Sequence, residues 1–172
     1  MSLILGIDPG SRKTGFGIIN YVSGQSEYIT SGVIRAPEGE LPERLRIIFD
    51  SVTELLELHS PQEVAVEQVF MAKSADSALK LGQARGVAIA ACAVRDMPVT
   101  EYSARQIKQS VVGSGAAEKS QVQHMVQVLL KLPAAPQEDA ADALAAAMCH
   151  AHTRQGLVNM AGARSVRRRR VR

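Results

Sequence analysis

Aromatic side chains are scarce: three Phe, three Tyr and no Trp make up 3% of the 172 residues. Large rings therefore cannot dominate the core, and the place of each one matters. Cysteine is scarcer still. Cys92 and Cys149 both fall in Ala-rich stretches without metal-ligand spacing, which excludes a disulfide scaffold and a zinc finger and fits buried thiols in a reducing cytosol. No apolar run approaches the roughly 20 residues that span a bilayer. The opening segment, Met1 to Asp8, has no basic n-region and reaches a charge too soon for a signal peptide. A cytoplasmic protein with no membrane partner is expected, and no internal repeat is evident.

What remains is an ordinary globular composition, 46% hydrophobic and 22% charged. The length suits one domain and leaves no room for a second large lobe. Charge is unevenly placed. Of 20 Lys and Arg, six lie at Arg164, Arg167, Arg168, Arg169, Arg170 and Arg172, so residues 1–163 hold 14 basic against 17 acidic groups, a balance of −3, while the whole chain is +3. A slightly acidic body with a basic tail points to a local site and a polyanionic partner. A solubilising tail accounts for the Arg run equally well. The expected division is one globular domain over 1–155 and a basic, flexible tail over 156–172.

Periodicity predicts strands at Leu3 to Asp8, Thr14 to Tyr21 and Glu27 to Arg35, a meander broken near Gly24. A helix follows over Leu41 to Leu58, with Leu45, Ile48, Val52, Leu55 and Leu56 at helical spacing behind Pro42, and then a strand at Glu63 to Val69. A long Ala-rich helix is predicted over Ser74 to Arg95 and a last strand over Pro98 to Tyr102. Helices are predicted over Ser103 to Val111, Ser120 to Leu132 and Glu138 to Thr153. This order indicates an α/β fold with a mixed five-stranded sheet flanked by helices on both faces.

Four acids interrupt these apolar elements. Asp8 and Glu67 stand at strand ends, and Asp139 and Asp142, at i and i+3, share one helical face. A carboxylate among core positions costs several kcal/mol unless compensated, and a divalent cation compensates several at once. The small residues Ala140, Ala141, Ala143, Ala145, Ala146 and Ala147 let that helix approach a sheet closely. Taken singly, each acid has a plainer explanation: a turn Asp before Pro9-Gly10, a solvated strand end, an N-terminal dipole partner for Asp139. Asp142 lacks one. Together the four indicate a phosphoryl-transfer site, with hard oxygen ligands selecting Mg²⁺ or Mn²⁺.

Weaker signals divide. Gly113 to Ser120 nearly matches a phosphate-binding loop, but Glu118 stands where that motif needs Gly and would repel phosphate. Phe70, at a strand exit, reads either as core or as a ring that stacks on an unpaired base. His124, His150 and His152 lack zinc-like spacing and read as satisfied or solvated.

The segments Gly6-Ile-Asp8-Pro-Gly-Ser-Arg-Lys-Thr-Gly15, Val66 to Gly86, Gly113 to Val122 and Glu138-Asp139-Ala-Ala-Asp142-Ala-Leu-Ala, in that order, resemble the RuvC family of bacterial Holliday junction resolvases, from about residue 2 to residue 152. The resemblance implies an RNase H-like fold, a homodimer, and symmetric paired nicks in four-way junction DNA during recombination and repair. It implies two Mg²⁺ per subunit, about 4 Å apart, with Mn²⁺ able to substitute. It carries the catalytic and metal-binding roles to Asp8, Glu67, Asp139 and Asp142, junction stacking to Phe70, and contact with the cleaved strand to Lys108 and Lys119. Lys119 is also expected to assist catalysis by neutralising charge on the phosphate. Arg12 and Lys73 are further expected DNA contacts, and a branch-migration motor, RuvA with RuvB, is the expected complex.

The helix over Ser74 to Arg95, with Ala75, Ala78, Gly82 and Gly86, offers small residues for a dimer interface. Three other readings compete. An actin-like ATPase or sugar kinase shares the Gly6-Ile-Asp8-Pro-Gly-Ser and Thr14-Gly15 pattern but needs a second lobe. A noncatalytic DNA binder would use only the Arg tail. An RNase H-like nuclease on RNA or another branched substrate is the nearest alternative.

Overall fold

β1 (Ser2–Asp8), β2 (Lys13–Val22) and β3 (Gln25–Arg35) form an antiparallel meander, and β4 (Glu63–Gln68) and β5 (Val99–Ser103) add in parallel beyond β1. The strand order is β3-β2-β1-β4-β5. This computed structural model describes residues 1–68 and 74–169.

Strand alternation divides the side chains between two cores. Leu5, Ile7, Ile18, Val64 and Val66 face α1 (Leu41–His59) and α2 (Ala75–Ala93), packing on Ile48, Val52, Ala84, Ala88 and Cys92. Ile4, Ile19, Ala65 and Tyr102 face the other way. They pack against α3 (Ala104–Val112), α4 (Lys119–Leu129) and α5 (Glu138–Arg169) through Ile107, Val122, Val126, Leu144 and Met148. The expected mixed sheet with helices on both faces is the observed one.

Local signals set the element ends. Pro42 opens α1, and Ser74 caps α2 by accepting from the Ser77 N–H at 3.2 Å. Ser103 and Gln106 form a capping box on α3, and Gly113 ends it in the left-handed region at φ 83°. The Gly113-to-Glu118 segment joins two helices, α3 and α4, and follows no strand, which agrees with its rejection as a phosphate loop. α5 differs most from expectation. It runs to Arg169, well past Thr153 where the apolar pattern of the sequence lapses, because helical backbone hydrogen bonds, once begun, add residue by residue without needing an apolar period.

α5 lies unusually close to the sheet. A Cβ on Gly6 would come within 2.9 Å of the Ala147 nitrogen, and one on Gly17 within 2.6 Å of Leu144 Cγ. A Cβ on Gly15 would run directly into the Asp139 carbonyl. The Ala-rich face of α5 thus rests on a glycine-lined trough in β1 and β2. Since Asp8 pairs with Gly15 and Gly6 with Gly17, Asp139 sits at the level of Asp8. The helix therefore runs antiparallel to β1, its N-terminal end over the strand's C-terminal end.

Candidate active site

Asp8 ends β1, and Glu67 is the penultimate residue of β4, one position beyond the Ile7–Val66 pairing. Both point to the α5 side, because Ile4, Gly6 and Asp8 share one face of β1 and Glu63, Ala65 and Glu67 share one face of β4. Parallel strands whose C-terminal ends are neighbours make an open crevice, the usual place for a ligand in such sheets. α5 closes it with Asp142. Asp8, Glu67, Asp142, Lys108 and Lys119 line a cleft of about 160 Å³, with Ala104, Ile107 and Val122 as its apolar wall. Asp139 stands at the rim over Gly15 and adds its field to Asp8.

The electrostatics are those of crowded acids short of cations. Burial first, then Glu67, Asp142 and Asp139, push Asp8 up to about 8, with Lys119 opposing. Burial and then Asp142 push Glu67 up to about 7, against Lys119 and Lys108. Asp142 is raised as well, chiefly by burial, with Lys119 again opposing. Lys119 Nζ donates to Glu138 Oε1 at 2.7 Å and to Asp142 Oδ2 at 3.3 Å. Those bonds, the Glu138 one foremost, hold its ammonium charged. Nearby positive charge thus falls short of what would keep all these carboxylates ionised.

Oxygen donors with uncompensated charge are the chemistry a hard divalent cation seeks. The fit rests on charge and donor type rather than on preformed ligation, since no three His, Cys, Asp or Glu side chains among the described residues already form a metal-holding group.

Of the other expected contacts, Lys108 and Lys119 line the cleft, while Arg12 is exposed in the turn after β1. Phe70 and Lys73 lie outside the described residues. Cys92 and Cys149 are buried free thiols. Two features escaped the sequence reading. One is Glu138, which holds Lys119. The other is the partners of His150: the ring, read as satisfied or solvated, is buried and bonds both Tyr102 and Glu63. The signal for the first was its place four residues before Asp142; the second gave none.

Comparison with known proteins bears directly on this cleft. The family model described as crossover junction endodeoxyribonuclease RuvC matches residues 4–150, a span holding all four acids. A protein of Saccharophagus degradans bearing that description is 63% identical over 99% of each chain. One from Aeromonas salmonicida is 62% identical over 94% of each. The solved structure of T. thermophilus RuvC in complex with Holliday junction substrate superposes with a TM-score of 0.84 at 34% identity, covering 91% of this chain and 97% of that one. The yeast mitochondrial resolvase Ydc2, at 12% identity and a TM-score of 0.62 over 87% of this chain and 79% of that one, shares the fold.

Proposed function

The chain belongs to the RuvC family of crossover junction endodeoxyribonucleases, and from that premise we propose that it resolves Holliday junctions by hydrolysing phosphodiesters in the Asp8–Glu67–Asp142 cleft. It is a structure-specific endonuclease of recombination and repair. The observation that carries the site assignment is that Asp8, Glu67 and Asp142 line one cleft with Lys108 and Lys119, where burial and mutual repulsion push the carboxyls up. A fold holds such a cluster at a cost in stability, and phosphodiester hydrolysis gives it a use.

Asp8, Glu67, Asp139 and Asp142 would hold Mg²⁺, two ions per subunit, with Mn²⁺ as substitute. Bound there, the ions supply charge neutralisation at the phosphate and acidification of water. The chain's own groups do the rest. The crevice between β1, β4 and α5 orients the scissile phosphate in line with an attacking water. As water oxygen bonds to phosphorus and the bond to the 3′ oxygen breaks, the water gives up a proton to solvent and the 3′ oxygen takes one up, leaving a 5′-phosphate and a 3′-hydroxyl. Lys119 moves from Glu138 and Asp142 to the phosphate and offsets charge building on its oxygens. Lys108 holds the strand from the apolar wall, and Arg12 meets the backbone beside β1. By the family resemblance, Phe70 would stack at the junction centre and Lys73 would contact DNA.

The two-fold symmetry of a four-way junction calls for two sites, hence a homodimer. α2 supplies the surface for it. Leu79 is 69% exposed there, and beyond Gly82 and Gly86 nothing lies within 4 Å of an added Cβ. Residues 1–155 form the nuclease domain and 156–172 its basic extension. The cytoplasm is the site of action, and RuvA with RuvB the expected motor. No helix among the described residues is long and apolar enough to cross a membrane.

The test is incubation with an end-labelled four-way junction, a linear duplex of the same sequence and a branched RNA, each with Mg²⁺ or EDTA. Paired nicks in the junction alone, and only with Mg²⁺, are expected. Preferential cutting of RNA would move the chain to another nuclease function, and cutting in EDTA would end the metal reading.

A further inference from the structure

The trough that seats α5 brings the acids together, but its Ala-on-Gly contacts fix the helix along its axis less firmly than large side chains do. Ala against Gly is smooth, and a smooth contact resists sliding less than interdigitated side chains do. A rise of about 1.5 Å per residue means that a one-residue slip would displace Asp139 and Asp142 by that distance. Misplacements of this size cost a reaction roughly 10²-fold. Leu144, seated over Gly17, and Met148 resist such a slip by shape, and directional contacts would resist it further.

A buried polar network at the far end of the sheet is placed to do so. His150 of α5 is 6% exposed. Its Nε2 lies 2.7 Å from Glu63 Oε2 on β4, and its Nδ1 lies 2.9 Å from the Tyr102 hydroxyl on β5. Burial lowers the imidazole's affinity for protons and raises that of the Tyr102 phenol. The neutral tautomer that follows donates from Nε2–H to Glu63 and accepts from Tyr102 at Nδ1. The other Glu63 oxygen accepts from Ser2 Oγ at 2.9 Å and pairs with Arg154, which also donates to Ser2 Oγ at 3.2 Å. One helix is thereby tied to β1, β4 and β5 at once.

The spacings match. From Glu63 to Glu67 the strand rises about 13 Å, and from His150 back to Asp142 the helix rises about 12 Å. Because α5 is antiparallel to β1 and β4, fixing His150 against Glu63 fixes Asp142 level with Glu67. Tyr102 strengthens the link, since it pairs with Glu67 in the β4–β5 register and reaches back to His150.

We propose that His150, Glu63 and Tyr102 are positioning residues that set the register of α5 and so align Asp139 and Asp142 with Asp8 and Glu67. The proposal rests on the resolvase reading for its consequence in catalysis, but the alignment can be read without cleavage.

The test uses the full chain with His150→Ala, Tyr102→Phe and the conservative His150→Gln, whose amide nitrogen falls near the Nε2 position and keeps a donor for Glu63. Three quantities are read: single-turnover cleavage at saturating junction with Mg²⁺, junction Kd in EDTA, and Mn²⁺ affinity by calorimetry without DNA. For His150→Ala we expect cleavage about 10- to 100-fold slower and Mn²⁺ bound about tenfold more weakly, the range seen when groups behind metal ligands are removed. Kd should stay within about twofold, and His150→Gln should recover most of both losses. A folded His150→Ala with wild-type rate and Mn²⁺ affinity would overturn the proposal. So would losses that merely follow the folded fraction by thermal melting and are not recovered in His150→Gln. If His150→Ala does not fold, Tyr102→Phe decides by the same readings, with a smaller loss of the same pattern expected. Wild-type protein that cuts no junction would defeat the resolvase reading, while the Mn²⁺ comparison would still decide the register.

Discussion

Replacing Asp8 with Asn should stabilise the metal-free protein while abolishing its cutting. The Asp8 carboxyl is pushed from 3.8 to about 8, by burial before neighbouring charge. Each unit corresponds to about 1.4 kcal/mol between the two protonation states. With the cleft open to water, on the order of 2 kcal/mol is recovered at pH 8 when the side chain keeps its shape and loses its charge. A chain of this size gains roughly 2–4 °C per kcal/mol, so Asp8→Asn should melt about 4–8 °C above wild type in EDTA. The sign follows from linkage. A carboxyl whose folded pKa is raised contributes its stability in full below the unfolded value, near 3.8, and that contribution is lost as pH climbs through about 8. The gap between variant and wild type should therefore close toward pH 4 and open toward pH 8. Added Mg²⁺ should raise the wild-type melting temperature more than the variant's. Calorimetric scans at pH 4, 6 and 8, with EDTA and with Mg²⁺, measure all of this. A variant that melts below wild type at pH 8 in EDTA, or a gap independent of pH, would show that Asp8 is already compensated and refute the reasoning.

Lys119→Ala should slow cleavage about 10²- to 10³-fold with little change in junction Kd; equal losses in both would make Lys119 only a phosphate anchor. Protons on Asp8 and Glu67 compete with the cation, so the Mg²⁺ concentration for half-maximal cutting should fall as pH rises from 6 to 9 through the values near 7 and 8, and a flat profile would count against the raised carboxyls. Gly15→Ala should cost about 1–3 kcal/mol and part of the activity, because the new methyl strikes the Asp139 carbonyl; unchanged melting would mean that α5 rides higher than described. Removing residues 164–172 should flatten the dependence of junction affinity on salt if the Arg run meets phosphates, and an unchanged slope would leave it a solubilising tail.

The elements were legible because each carries its own period: Leu45, Ile48, Val52 and Leu56 for α1, and the β-branched runs of β1 to β4. The acids of the candidate site were legible because charge in apolar segments is conspicuous against that pattern. Two kinds of information were not. The trough needs Gly6, Gly15 and Gly17 to meet one face of α5, and strand pairing, not sequence order, aligns them. The His150 ring bonds partners as much as 87 positions away in the chain, and nothing local to a histidine in an Ala-rich helix announces partners on two strands. The end of α5 was misjudged because a buried stripe reports packing, whereas the helix persists beyond it.

The central claim is that Asp8, Glu67, Asp139 and Asp142 form the cutting site of a junction resolvase, and Asp139→Asn tests it most directly, being conservative in shape and at the rim of the cleft. The measurement is single-turnover cleavage of a four-way junction labelled on two opposing strands, with Mg²⁺, beside junction Kd for the same protein. The account predicts wild-type Kd and no nicks from the variant, against paired symmetric nicks from wild type. Symmetric nicking by Asp139→Asn at the wild-type rate would remove that acid from the site and contradict the account.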